Sequence, residues 1–278
     1  MIVVTGATGN VGRTLVRLLA EQGHEVTAVS RRITRSDVPT GVRAVAADLA
    51  AQPAAGLPAA ADAVFLLVGG DLMMTGDPSA VVAPFAHYGK IVLLSSQGVV
   101  TRPDSLSHGK AFAAYERAVM DSGTDWTLLR PGGFASNAYA WAPSVKASRT
   151  VAAPFGDVGL PVVDPDDIAA VAAAALTEPG HSEACYELTG PAPTTPRQRA
   201  AALADAMGEQ VTFLHQTREE ARAQLLTFMP APVADTTLDI IGTPTPREQA
   251  VSPDVENILG RPATPFTTWA ERNAAAFR

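Results

Sequence analysis

Three glycines at three-residue spacing, Gly6, Gly9 and Gly12, open the chain in the run Thr5-Gly-Ala-Thr-Gly-Asn-Val-Gly12. Glycine permits a tight turn and lets backbone approach a ligand closely, because no Cβ intervenes. If a helix starts in that turn, its free N–H groups and positive dipole end suit a pyrophosphate. The spacing is G-x-x-G-x-x-G, not the more familiar G-x-G-x-x-G, so its context must carry the reading. That context is a strand before and a helix after. Ile2, Val3 and Val4 form a short β-branched run suited to a buried strand. Val11, Leu15, Leu18 and Leu19 then recur at helical spacing, with Arg13, Arg17, Glu21 and Gln22 between them, until Gly23 stops the helix. Strand, glycine turn and helix make a dinucleotide site, with Thr5, Gly6, Thr8, Gly9, Asn10, Val11 and Gly12 as its expected contacts.

A second strand, Gly23–Ser30, leads directly into Arg31 and Arg32. An acid at the end of this strand would bind the ribose 2′-hydroxyl of NAD. Here Ser30-Arg31-Arg32 offers guanidinium groups, which pair with a 2′-phosphate, so NADP(H) is expected in preference to NAD(H). A third strand runs from Val42 to Asp48-Leu49, and a fourth, Ala63–Val68, ends at Gly69-Gly70, where backbone can pass close to the cofactor. Pro78–Tyr88 reads as a helix, Lys90–Ser96 as strand five, His108–Ser122 as a helix and Asp125–Pro131 as strand six. Strands alternating with helices predict an α/β fold: a doubly wound parallel Rossmann sheet. Residues 1–134 form its nucleotide-binding domain, with segments around 160–190 returning to it, and residues 135–278 form mainly a small C-terminal substrate lobe. In the later half, helices are expected at Asp164–Thr177, Pro196–Met207 and Thr217–Phe228, with short strands at Cys185–Thr189 and Gln210–Leu214 and a final helix from Phe266.

The bulk composition narrows the class. Hydrophobic residues make up 47% of the chain and charged ones 18%, as in a globular protein. A net charge of −7 without a basic patch argues against nucleic acid as a partner. Cys185 is the single cysteine, so neither an intramolecular disulfide nor a cysteine-rich metal site can form, and no metal is expected. No apolar run is long enough to span a membrane, and a strand at the first residues leaves no room for a leader peptide. The expectation is a cytoplasmic protein, monomer or homodimer, with a small-molecule carbonyl substrate.

Residues 5–12 also resemble the nucleotide loop of extended and atypical short-chain dehydrogenase/reductases. The stretch from Tyr115 through Leu129-Arg130-Pro131-Gly-Gly-Phe134 to Asn137 resembles the NmrA-like branch of that family. So do Val163–Ala169, Tyr186–Pro191 and the ending Gly260-Arg-Pro with Phe266-Thr-Thr-Trp269, which extends the resemblance over nearly the whole chain. The resemblance implies Asp48 and Leu49 beside the adenine, and Val68, Gly69, Gly70, Ser95, Pro131, Gly133 and Phe134 along the cofactor.

Most short-chain reductases carry a Tyr-x-x-x-Lys pair after strand five, the Tyr acting as general acid and the Lys lowering its pKa. In extended members a Glu follows the Lys by four residues, and Glu116 takes that place here. Counting back puts Phe112 where the Lys would stand and His108 where the Tyr would stand, on one face of a regular helix. The usual proton machinery is therefore missing. A quinone or aromatic polyketone stabilises its own anion and needs less of it, which points to a reductase of an aromatic or polycyclic ketone or a quinone. His108 could donate a proton near neutral pH, and Ser95 or Ser96 could hold a carbonyl. Phe112, Phe134, Asn137, Tyr139 and Trp141, with Leu225, Phe228 and Met229, are the candidate lining of an aromatic, methionine-containing substrate cleft. The same family includes dinucleotide sensors that bind cofactor without turnover, and that is the alternative; an epimerase or isomerase is the third.

Overall fold

The computed structural model describes residues 1–52, 56–70, 72–73 and 76–278. Its strands are β1 (Ile2–Thr5), β2 (Val26–Ser30), β3 (Arg43–Ala46), β4 (Ala63–Leu67), β5 (Lys90–Leu94), β6 (Asp125–Pro131), β7 (Thr150–Ala153), β8 (Ala184–Leu188) and β9 (Thr212–His215). The chain divides into two compact units, the first comprising Met1–Pro131 with Pro165–Glu187 and the second Gly132–Asp164 with Leu188–Arg278.

The first unit is built on a seven-stranded sheet of order β3-β2-β1-β4-β5-β6-β8. β1 pairs in parallel with both β2 and β4, so the strand order reverses there. In open α/β sheets that switch point, at the carboxyl ends of the strands, is where ligands bind. β1 and β5 carry β-branched and leucine residues that are almost wholly buried, as a strand covered on both faces requires. The helix Asn10–Glu21 buries Val11, Leu15, Val16 and Leu19. It packs on the helix Pro165–Thr177, whose alanines allow close approach, and Thr14 donates a 2.7 Å hydrogen bond to Asp166 there. A cluster that includes Phe85, Tyr88, Ile91, Leu93, Tyr115 and Val119 fills another part of the unit's core.

Two expected helices differ from the structure for identifiable reasons. Pro78–Tyr88 is helical only over Pro78–Val82 and then tightens to a 3₁₀ turn at Ala83–Phe85, because Pro84 has no N–H to continue the ladder. His108–Ser122 is not one regular helix. Leu106–Ala111 is a π-helical turn, marked by Lys110 N–H bonding the carbonyl of Ser105, and a regular helix follows over Phe112–Met120. Gly109 enables the wide turn: a Cβ there would lie 2.1 Å from the carbonyl oxygen of Arg102. The equal-face register assumed for residues 108, 112 and 116 is therefore broken.

The second unit has its own core of Val145, Val151, Leu203, Phe266, Trp269 and Phe277. β7 and β9 pair in parallel, Thr150 opposite Thr212. β7, the 3₁₀ stretch Ala135–Trp141 and the helices Ala142–Ser148 and Ala231–Gly242 have no counterpart in the sequence expectation. Pro196–Met207 begins and ends where its pattern placed it, capped by Thr195 and stopped by Gly208 in the left-handed conformation. Among the described residues no helix is long and apolar enough to cross a membrane, and no group of acidic, histidine or cysteine side chains could hold a metal ion.

Candidate active site

The glycine turn lies at the end of β1 and closes on itself. Gly6 adopts φ +62°, in the left-handed region, and its carbonyl accepts a 2.9 Å hydrogen bond from Gly9 N–H. A Cβ on Gly12 would sit 2.2 Å from the Gly6 oxygen, and one on Gly9 3.2 Å from it, so the helix start presses directly on the turn. Gly9 is the N-cap and provides no side-chain acceptor, and the first turn carries no acid, so the positive helix end has no anion of its own. Thr8 and Ser30 share a 2.9 Å hydroxyl hydrogen bond that ties the turn to the end of β2. Arg31 and Arg32 are exposed immediately beyond. Arg13, which the sequence reading passed over, folds back so that its Nη2 donates to the Thr8 carbonyl at 3.2 Å. This cradle, with Cβ-free positions at the turn and cations at the neighbouring strand end, fits NAD(P)H.

Some expected cofactor contacts have other work. Thr5 is buried, donates its hydroxyl to the Phe65 carbonyl at 3.1 Å and accepts from Leu67 N–H at 2.8 Å, so its side chain ties β1 to β4. Leu49 and Val68 are core residues. Asp48 is exposed beyond β3 and accepts from Ala50 N–H at 3.0 Å, closing a turn. Gly70 takes φ +56° after β4 and Gly69 is half-buried.

The other expected catalytic positions separate sharply. Ser95 is buried and donates its hydroxyl to Glu116 Oε1 at 2.5 Å. The same carboxylate receives Arg130 Nε at 2.8 Å and Nη2 at 2.6 Å. Hydrogen bonding to Glu116 pushes the Arg130 pKa further up, keeping the guanidinium charged. Ser95 is thus a member of a buried ion-pair network, and its expected role toward a carbonyl is corrected. Phe112, expected in a substrate cleft, is also corrected: it is 9% exposed and belongs to the core of the first unit.

Ser96 and His108 remain. Ser96 Oγ accepts from Gly98 N–H at 3.0 Å, which leaves its own proton to donate. His108 lies against the same glycine: a Cβ on Gly98 would be 2.6 Å from the Cβ of His108. His108 Nδ1 is 2.8 Å from Ser107 Oγ. With Ser107 donating to Nδ1, the imidazole carries its proton on Nε2, the tautomer of a donor. Both side chains are half-buried. A surface groove of about 530 Å³ on this unit, lined by residues including Lys110 and Arg117, contains neither of them.

Residues 6–179 match the model of a family described as NAD(P)H-binding. The chain is 37% identical to the (4-alkanoyl-5-oxo-2,5-dihydrofuran-3-yl)methyl phosphate reductase of Streptomyces griseus, over 100% of this chain and 99% of that protein. It is 33% identical to an NAD(P)H azoreductase of Xenophilus azovorans, over 100% of this chain and 99% of that one. The chain belongs to the NAD(P)H-binding, NmrA-like atypical short-chain reductases. It is an NAD(P)H-dependent oxidoreductase. In fold it superposes with TM-score 0.79 on an NADPH-dependent quinone oxidoreductase of Escherichia coli in complex with NADPH, at 24% identity, covering 98% of this chain and 99% of that one.

The remaining expected contacts of this reductase fall in different settings. Pro131 ends β6, buried in the first unit. In the second unit Gly133 is exposed, Phe134 is half-buried and bridges to Val163, and Asn137 is exposed. Tyr139 is half-buried and packs on the second unit's core: its ring lies 5.1 Å from Trp269 and stacks 5.9 Å from Phe277, and its hydroxyl bonds Asn273. Trp141 is half-buried beneath the guanidinium of Arg199. Leu225 and Met229 are half-buried, and Phe228 is 64% exposed. The sequence reading used Glu116 only as a register mark and missed its pairing with Arg130. A buried acid on one element and an arginine at the end of an apolar strand was the available signal.

Proposed function

We propose that this oxidoreductase takes NADPH in preference to NADH and reduces a small conjugated acceptor, such as a quinone or a hydroxy-substituted aromatic ketone. The observation that carries the reading is that Ser96 and His108 both approach Gly98, with Phe112 withdrawn into the core. With no Tyr–Lys pair on that helix, the acceptor must stabilise most of its own developing charge. Ser96 donates a hydrogen bond to the acceptor oxygen. His108 supplies or relays a proton from Nε2, its other nitrogen fixed by Ser107. Arg31, Arg32 and Ser30 at the end of β2 recognise the 2′-phosphate, and Gly6, Gly9 and Gly12 admit the pyrophosphate. The cofactor, when bound, supplies the hydride. The names of the Streptomyces griseus and Xenophilus azovorans relatives specify a furanone and azo compounds, both conjugated acceptors, which supports this class and favours turnover over cofactor sensing.

NADPH oxidation against a panel of quinones, hydroxylated aromatic ketones and cyclohexanone tests the reading. Quinones and the aromatic ketones should turn over and cyclohexanone should not. Ser96→Ala should lower kcat, and His108→Ala should lower it by less than ~10-fold, because water or the acceptor's own hydroxyl can take over the proton delivery when the imidazole is removed. Efficient reduction of cyclohexanone, or a loss of ~100-fold or more in His108→Ala, would show that the protein provides an essential acid.

A further inference from the structure

In the second unit the arginines of the other ion pairs meet carboxylates: Arg149 with Glu209, Arg197 with Asp157, Arg218 with Asp239, Arg222 with Asp235, and Arg272 with Asp164. Arg199 does not. It stands on the helix Pro196–Met207, on the same side as Leu203, and its Nε is sealed from solvent with no hydrogen-bond partner among the described residues. Its guanidinium lies over the ring of Trp141, 5.6 Å from carbon to ring centre. Burial alone pushes its pKa down to about 10, with no acid acting against the shift. Its position near the start of a helix adds to the strain, since the positive dipole end disfavours a cation. The first-turn donors of that helix cannot help: Arg197, Gln198 and Arg199 N–H groups are bonded to Gly156, Thr195 Oγ1 and Thr195 O. Stacking on one indole compensates a guanidinium only weakly against the loss of its hydration. The residue as a whole is half-buried, so part of it meets solvent.

We propose that Arg199 is an oxyanion-binding residue: with Trp141 it takes the phosphate or carboxylate of an organic ligand, the planar fork pairing two oxygens while the indole packs against the ligand's carbon skeleton. Both the field of the helix end and the unpaired guanidinium favour the same sign of charge. This assignment stands on the second unit's own geometry and is independent of which acceptor is reduced.

The test is thermal unfolding of the full chain with NADP⁺ saturating, so that the glycine turn is already filled, in sodium phosphate, sodium acetate or sodium chloride at equal ionic strength. Phosphate should raise the midpoint of the wild type by about 2–4 °C over chloride. Arg199→Met should fold with an unchanged or higher midpoint in chloride, because an uncompensated buried charge has been removed, and should show no phosphate-specific rise. Arg199→Lys, which keeps the charge without the fork, should show a smaller rise than the wild type. A rise in phosphate alone marks a phosphate ester as the ligand class, and a rise in acetate as well extends it to carboxylates. No rise in the wild type, or an equal rise in wild type and Arg199→Met, overturns the proposal. So does a lower chloride midpoint for Arg199→Met, which would make the cation a structural partner of Trp141. If Arg199→Met does not fold, an undiminished rise in Arg199→Lys overturns it equally.

Discussion

Replacing Glu116 by Ala should be among the most damaging single changes in the first unit. The Glu116 side chain is 3% exposed and that of Arg130 18%, so the pair is screened little by water. Removing the carboxylate deletes three short hydrogen bonds, at 2.5, 2.6 and 2.8 Å, and leaves the guanidinium without its counter-charge. Breaking a buried pair from one side costs about 3–5 kcal/mol. That is a large share of the roughly 5–15 kcal/mol that holds a domain together. At about 2–4 °C per kcal/mol for a domain of this size, the unfolding midpoint should fall by roughly 6–20 °C. Urea unfolding followed by circular dichroism measures the loss directly. The double change Glu116→Leu with Arg130→Met removes both charges at once, and should recover most of the stability, because no group is then left buried and unpaired. Ser95→Ala should cost about 1.5–3 kcal/mol, the worth of a hydrogen bond to a charge, and leave kcat unchanged. A loss under ~1 kcal/mol for Glu116→Ala, or a double variant as unstable as the sum of the two single ones, would refute the network argument.

Calorimetric titration should show Arg31→Ala weakening NADPH by about 10-fold or more with NADH nearly unaffected, since one charge-assisted pair is worth about 1.5–3 kcal/mol. Equal losses for the two cofactors would remove Arg31 from the 2′-phosphate. Gly12→Ala places a methyl 2.2 Å from the Gly6 oxygen and should abolish NADPH binding, read by nucleotide fluorescence, while circular dichroism still reports a folded chain. Burial, with Asp77 adding to it, pushes the Tyr115 hydroxyl up to about 12. Its neutral form is thus favoured by the fold, so this stability is full below pH ~10 and is lost as pH rises toward about 12. Tyr115→Phe should flatten that alkaline decline in urea midpoints measured from pH 9 to 12; an unchanged slope would assign the decline to other groups.

The legible parts of the fold were the local ones. The β-branched run Ile2–Val4, the glycines at 6, 9 and 12 and the apolar stripe through Leu19 each sit within one element, where period and backbone freedom reveal the outcome. Pro196–Met207 was placed to the residue because its cap, its proline and its stopping glycine are adjacent in sequence. The helix after β5 was misread because a π turn leaves no period in the side chains: it depends on Gly109 passing beside Arg102 and Pro103. β7 was missed because Thr150–Ala153 becomes a strand by pairing with Thr212–His215, sixty-odd residues away.

For the site, the residue types alone show the glycine turn, the cations after β2 and the lack of a Tyr–Lys pair, because each is a matter of which groups are present at which spacing. Tertiary structure decided which of those groups remain available. Ser95 and Ser96 are indistinguishable as neighbours in a chain, yet alternation along the strand end turns one hydroxyl inward to Glu116 and leaves the other at Gly98. Phe112 looks like a cleft residue by type and is a core residue by packing, while Tyr139 stays half-buried with its ring against Trp269 and Phe277. Arg199 looks like one arginine among many, and what distinguishes it, a buried Nε with no hydrogen-bond partner among the described residues, is a fact about distant segments. Hydrogen-bond partners and burial are set by residues far apart in sequence, so no local pattern encodes them.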